Sequence, residues 1–98
     1  MKNIKHDINK QGIKISSIEL SKYMSMRHPA VMALVKRHLI HLEEYRKIEF
    51  VSATNTGGRP GLYCYLTKDQ VNLLILLAKN SPRIVSLKFE IIRKHFLS

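Results

Sequence analysis

Apolar positions along the chain fall into helical runs separated by one pair of strand-like segments. From Ser16 onward, Ile18, Leu20, Tyr23 and Met24 recur at helical spacing. Ser16 followed three residues later by Glu19 is a capping box, in which the serine oxygen takes an orphan amide and the glutamate reaches back. The pattern predicts a first helix from Ser16 to Met24, then a turn over Ser25-Met26-Arg27-His28. Pro29 opens a second helix at its first position, where a missing N–H leaves no partner unsatisfied. Projected at about 100° per residue, Val31, Leu34, Val35, His38, Leu39 and Leu42 form the core face of that helix. The opposite face carries Pro29, Ala33, Lys36, Arg37 and Ile40, with Arg27 and His28 at its leading end.

Residues 48–54 alternate apolar and polar, and Leu62 to Leu66 is short and aromatic-rich. Between them lies Asn55-Thr56-Gly57-Gly58-Arg59-Pro60-Gly61, so the pair reads as a β-hairpin with a basic tip. Ile13-Lys14-Ile15 adds a short edge strand beside it. Thr67-Lys68-Asp69-Gln70 is a second capping box and opens a third helix through Val71–Ala78. That helix is apolar almost all round and is expected to be covered on nearly every side, yet it is too short to span a bilayer. Pro82 starts a fourth helix running toward Phe96, with one stripe of Ile84, Leu87 and Ile91 and another of Val85, Phe89, Ile92 and Phe96. Two stripes need two partners. The expectation is that the second stripe meets the intrachain core, while Ile84, Leu87 and Ile91 form the seam of a homodimer built on the third and fourth helices.

The expected fold class is therefore α+β, mainly helical: a winged helix-turn-helix with a C-terminal helical hairpin. One domain over 13–98 follows a basic arm over 1–12. With 98 residues, 45% of them hydrophobic, the chain suffices for a single core. Charge adds a partner. Seventeen Lys and Arg against seven Asp and Glu give a net charge of +10, which suits a polyanion without choosing among DNA, RNA and an anionic membrane. The order of elements favours duplex DNA. Ala30 and Ala33 let the second helix approach base edges closely, and Arg27, His28, Lys36 and Arg37 present donors to a major groove. Arg59 at the hairpin tip is placed to reach a phosphate or a neighbouring minor groove. The competing readings are a solvated basic helix face and glycines that merely turn the chain. A phosphate-cradling nucleotide loop is excluded, since neither Lys nor Ser/Thr follows at the required places.

Little in the chain points to catalysis: the acidic residues are scattered, with no pair spaced for acid–base work on one helical face. No cofactor is expected. His38 and His41 lie one helical turn apart but lack a cluster to complete a metal site, and are read as a core-edge and a surface histidine. Cys64 has no second cysteine to pair with and is expected to be a buried reduced thiol of a cytoplasmic protein. Residues 1–12 lack the apolar run of a secretory signal or membrane span. An RNA-binding protein would use aromatic stacking platforms, whereas the tyrosines are expected at strand and core positions. The rival from another class is a module that captures a host protein through the apolar C-terminal helices.

Several stretches resemble the N-terminal DNA-binding part of the phage regulatory protein Rha family, a neighbour of the KilA-N and BRO-type antirepressors. They are Ser16-Ser17 with Leu20, Arg27-His28-x-x-Val31-Met32, Arg59, Tyr65-Leu66-Thr67-x-Asp69, Leu73-Leu74 and Lys88-Phe89, in the same order from Ser16 onward. Gln70-Val71 departs from the family pattern of a glycine and an aromatic. The resemblance implies a phage-type transcriptional regulator that binds DNA.

Overall fold

Five helices and a three-stranded antiparallel sheet make up the described part of the computed structural model, which covers residues 14–53 and 61–97. The arm expected over 1–12, Ile13, the hairpin tip with Arg59, and the side chain of Phe96 lie outside the described residues. The elements are β1 (Lys14–Ser16), α1 (Ser17–Met24), α2 (His28–Arg37), α3 (Leu39–Leu42), β2 (Phe50–Ala53), β3 (Gly61–Thr67), α4 (Lys68–Leu77) and α5 (Pro82–Ile92), the last continuing into a π-helical end over Arg93–Leu97. The class is α+β and mostly helical.

Both predicted N-caps form, but only the second as a reciprocal box. Ser16 is the N-cap of α1, its Oγ accepting from the Glu19 N–H at 3.1 Å. At α4 the box is complete: Thr67 Oγ1 accepts from Gln70 N at 3.3 Å, while Gln70 Oε1 accepts from Thr67 N at 2.9 Å. Helix α1 closes in a Schellman arrangement, with Met26 N donating to Ser21 O and Ser25 N to Lys22 O. Ser25 takes the left-handed conformation at φ 56°, which for a non-glycine residue costs on the order of 1–2 kcal/mol. That strain is accepted where the chain turns sharply toward α2. Helix α2 begins one residue earlier than the pattern predicts, at His28, so Pro29 still lies in the first turn.

The sheet order is β1-β3-β2. β3 pairs with β2 in the register Phe50↔Cys64 and Val51↔Tyr63, and with β1 in the register Ile15↔Leu66. The twofold alternation of a strand turns Cys64 and Leu66 into the core and leaves Tyr63 half-buried and Tyr65 44% exposed on the other face. Tyr63 and Tyr65 stand in a strand as expected, but with Tyr23 and Tyr45 also exposed no tyrosine is buried in the core. One apolar cluster unites the elements, with Leu20 and Met24 of α1, Val31, Met32 and Val35 of α2, Leu42 of α3, Cys64 and Leu66 of β3, Leu74 and Ile75 of α4, and the inner stripe of α5.

Two expectations about the C-terminal helices are corrected. Helix α4 is not covered on nearly every side, since Leu76 and Leu77 remain exposed. On α5 the roles of the two stripes are reversed. Ile84, Leu87 and Ile91 are buried in the core of their own chain, at 1%, 2% and 8% exposure, while Phe89 and Ile92 face outward. The side chains flanking the inner stripe explain the rotation. Arg83 on one side donates from Nε to Tyr23 O at 2.8 Å and stacks its guanidinium 5.0 Å from the Tyr23 ring centroid. Lys88 on the other donates from Nζ to Ala78 O and to Asn80 Oδ1. These tethers, to α1 and to the α4–α5 connection, hold the stripe between them against the core.

Candidate nucleic-acid interface

Helix α2 presents its two faces sharply. Val31, Met32 and Val35 are buried, while Pro29, Ala30, Ala33, Lys36 and Arg37 are exposed. The outward face thus has small residues near its start and centre and two cations on its last turn. Arg27 is the exposed N-cap and makes no side-chain capping bond, so its guanidinium is available at the helix entrance. Of the residues assigned by sequence to a groove, Arg27, Ala30, Ala33, Lys36 and Arg37 share this surface.

His28 does not belong with them. Its Nε2 lies 2.9 Å from Ser17 Oγ, and it projects with Met32 and Val35, four and seven residues on, toward the interior. Ser17 is fully buried and its Oγ also accepts from Cys64 N at 3.1 Å. One hydroxyl therefore links α1, the start of α2 and β3. A serine–histidine pair at this distance has the geometry of a nucleophile and its base, but with Ser17 out of reach of solvent it serves as a structural pin. Burial pushes the Cys64 thiol up from its ordinary pKa, and the hydrogen bond with Ser17 partly opposes this.

The helix expected to run on to Leu42 breaks at His38, whose φ of −109° and ψ of 24° end α2 after Arg37. A four-residue α3 restarts at Leu39. Leu42 is buried and Ile40 79% exposed, as their faces predict. The segment after α3 is held by groups the sequence pattern did not single out. Ile48 N donates to Glu43 Oε2 at 2.9 Å, and the buried amide of Gln70 donates from Nε2 to Leu42 O at 3.0 Å and to Arg46 O at 2.6 Å. Gln70 is thus both a helix cap and the anchor of the turn that feeds β2. Its i+3 position in the box was visible in the sequence; its second role, across the chain, had no local signal.

On the outer face of the sheet, Tyr63 and Tyr65 meet edge to face, with centroids 5.6 Å apart. The Tyr63 hydroxyl donates to Tyr65, and this bond, the charge of the neighbouring phenolate and a little burial raise the Tyr63 phenol above its ordinary pKa of 10.0. His38 is half-buried and His41 exposed, and among the described residues no group of three or more His, Cys, Asp or Glu side chains is placed to hold a metal. No helix among them is long and apolar enough to cross a membrane. Comparison with family models, curated proteins and solved structures returns no match.

Proposed function

We propose that this chain is a winged helix-turn-helix protein that binds a specific duplex DNA site and regulates transcription. The observation that carries the reading is the outward face of α2: Ala30 and Ala33 permit close approach while Arg27, Lys36 and Arg37 supply long donors around them. The tight turn before α2 and the hairpin after it fit the same arrangement, with α2 as recognition helix and the loop carrying Arg59 as wing. The net charge of +10 supplies a sequence-independent attraction to phosphates. The resemblance to the phage Rha regulators agrees with this reading and rests on the residues quoted for it. In this mechanism Lys36 and Arg37 read base edges or clamp phosphates, and His28 sets the entry angle of α2 through Ser17 instead of contacting DNA.

A homodimer on an inverted repeat remains part of the proposal, with its seam moved to Phe89 and Ile92, the exposed side of α5. The second reading, capture of another protein, is favoured by the same residues together with Leu76 and Leu77. Selection from random duplexes tests both. The DNA reading expects enrichment of one motif, in two halves separated by about one helical turn of 10–10.5 base pairs or a multiple if the protein is a dimer. Lys36→Ala or Arg37→Ala should relax one position of the motif at a cost of about 1–3 kcal/mol. Random single strands belong in the comparison, because Tyr63 and Tyr65 offer a stacking surface. No enriched duplex motif, or tighter binding to single strands, would reject the proposal.

A further inference from the structure

A groove of about 630 Å³ opens between α1, α4 and α5. Its floor is apolar, formed by Leu20, Val71, Ile75, Leu87 and Ile91, all buried in the cluster that holds the domain together. Tyr23 lines one wall and is fixed there by Arg83, which bonds its carbonyl and stacks on its ring. The groove is therefore already formed, and its volume lies within the ~300–1,000 Å³ of small-molecule sites. It is concave, unlike the broad surface of about 800 Å² per partner that a stable protein–protein contact needs.

Charge at the opening narrows the occupant. Lys22 of α1, Lys68 of α4 and Lys94 beyond α5 converge on it from three elements, accompanied by Glu19 and Glu90. Lys22 and Lys68 are exposed, and no hydrogen bond or ion pair engages their side chains among the described residues. With His95 neutral, the three lysines outnumber the two glutamates by one, which suits an anion of low charge. We infer that this groove binds a small molecule with an apolar body and one carboxylate, the body lying on Leu20, Val71, Ile75 and Leu87 and the carboxylate reaching Lys22 and Lys68. Helix α1 forms one wall and is bonded to the start of α2 through Ser17 and His28, so occupancy has a direct route to the outward face of α2.

The test uses the full chain without DNA, so that failure of the DNA-binding reading leaves its outcome unaffected. Anilinonaphthalene sulfonate, an apolar body with one anionic group, is titrated by fluorescence and then displaced with decanoate or decylamine. Saturable binding of one probe per chain is expected, displaced by decanoate at a concentration at least about tenfold below that of decylamine. Lys22→Glu with Lys68→Glu should reverse that order; both positions are exposed, so the fold is not at stake. Asn72→Trp, which fills the opening, should abolish saturable binding with an unchanged circular dichroism spectrum. Phe89→Ser removes the more exposed of the two outward apolar residues of α5 and should leave binding intact. The inference is overturned if decylamine displaces as well as decanoate, if the double reversal leaves the order unchanged, or if binding survives Asn72→Trp and is lost with Phe89→Ser.

Discussion

Replacing Leu87 and Phe89 separately with alanine tests which side of α5 the fold uses. Leu87 is 2% exposed and Phe89 59%, although the two belong to equally apolar stripes. A buried Leu→Ala change costs about 2–5 kcal/mol through lost transfer free energy and the space left behind. Leu87 also borders the groove beneath α1, so the vacated volume joins an open space instead of remaining a sealed void, and the expected loss is about 2–3 kcal/mol. Out of about 5–15 kcal/mol for a whole domain, this is large, and it should lower the melting temperature by about 8–24 °C. Phe89→Ala removes a ring already mostly in water and should change stability by less than about 0.5 kcal/mol. Urea unfolding at micromolar protein, repeated at tenfold higher concentration, reads both values and exposes any contribution from self-association. A Phe89→Ala loss equal to or greater than that of Leu87→Ala, at the lower concentration, would refute the stripe assignment.

Two further outcomes follow from the buried polar groups. Gln70→Leu removes the bonds to Thr67 N, Leu42 O and Arg46 O and should cost about 2–3 kcal/mol, at about 1 kcal/mol per bond with partial rehydration of the exposed Arg46 end; a loss below about 1 kcal/mol in urea unfolding would show that the amide does not hold this turn. Cys64 has its thiol pKa raised by burial in the folded state, so the unfolded chain loses its proton first and stability should fall as pH rises above the ordinary thiol value of about 8.5. The same pH series on Cys64→Ala should lack that component, and an identical decline in both proteins would contradict the burial argument.

Where sequence and structure agree, the determinants are local. The Ser16 and Thr67 caps, Pro29 in the first turn of α2, the outward placement of Ala30, Ala33, Lys36 and Arg37, and the edge strand containing Lys14 and Ile15 all follow from spacing within a few residues. Where they differ, the deciding group comes from far along the chain. Neither stripe of α5 is intrinsically the inner one; Arg83 reaching Tyr23 and Lys88 reaching Ala78 settle the rotation. The periodicity across residues 29–42 passes straight through His38, so it does not register that the backbone turns there. His28 looked like a groove residue from its position at the turn, yet its spacing to Met32 and Val35 placed it on the inner face, where Ser17 receives it. Tyr63 and Tyr65 alternate with Cys64 and Leu66, and that alternation alone was enough to turn them outward.

If the proposed function holds, duplex DNA is bound by the outward face of α2 and not by bulk positive charge. Fluorescence anisotropy on a selected duplex, over a range of salt, should compare the parent with Lys36→Glu/Arg37→Glu and with a charge-matched control, Lys79→Glu/Arg93→Glu, whose positions are also exposed but belong to other elements. The α2 double variant should lose affinity by about 30-fold or more and show a shallower salt dependence, by about 1 for each phosphate contact removed, with a much smaller loss in the control. Equal losses in the two variants, with equal changes in salt slope, would contradict that binding mode.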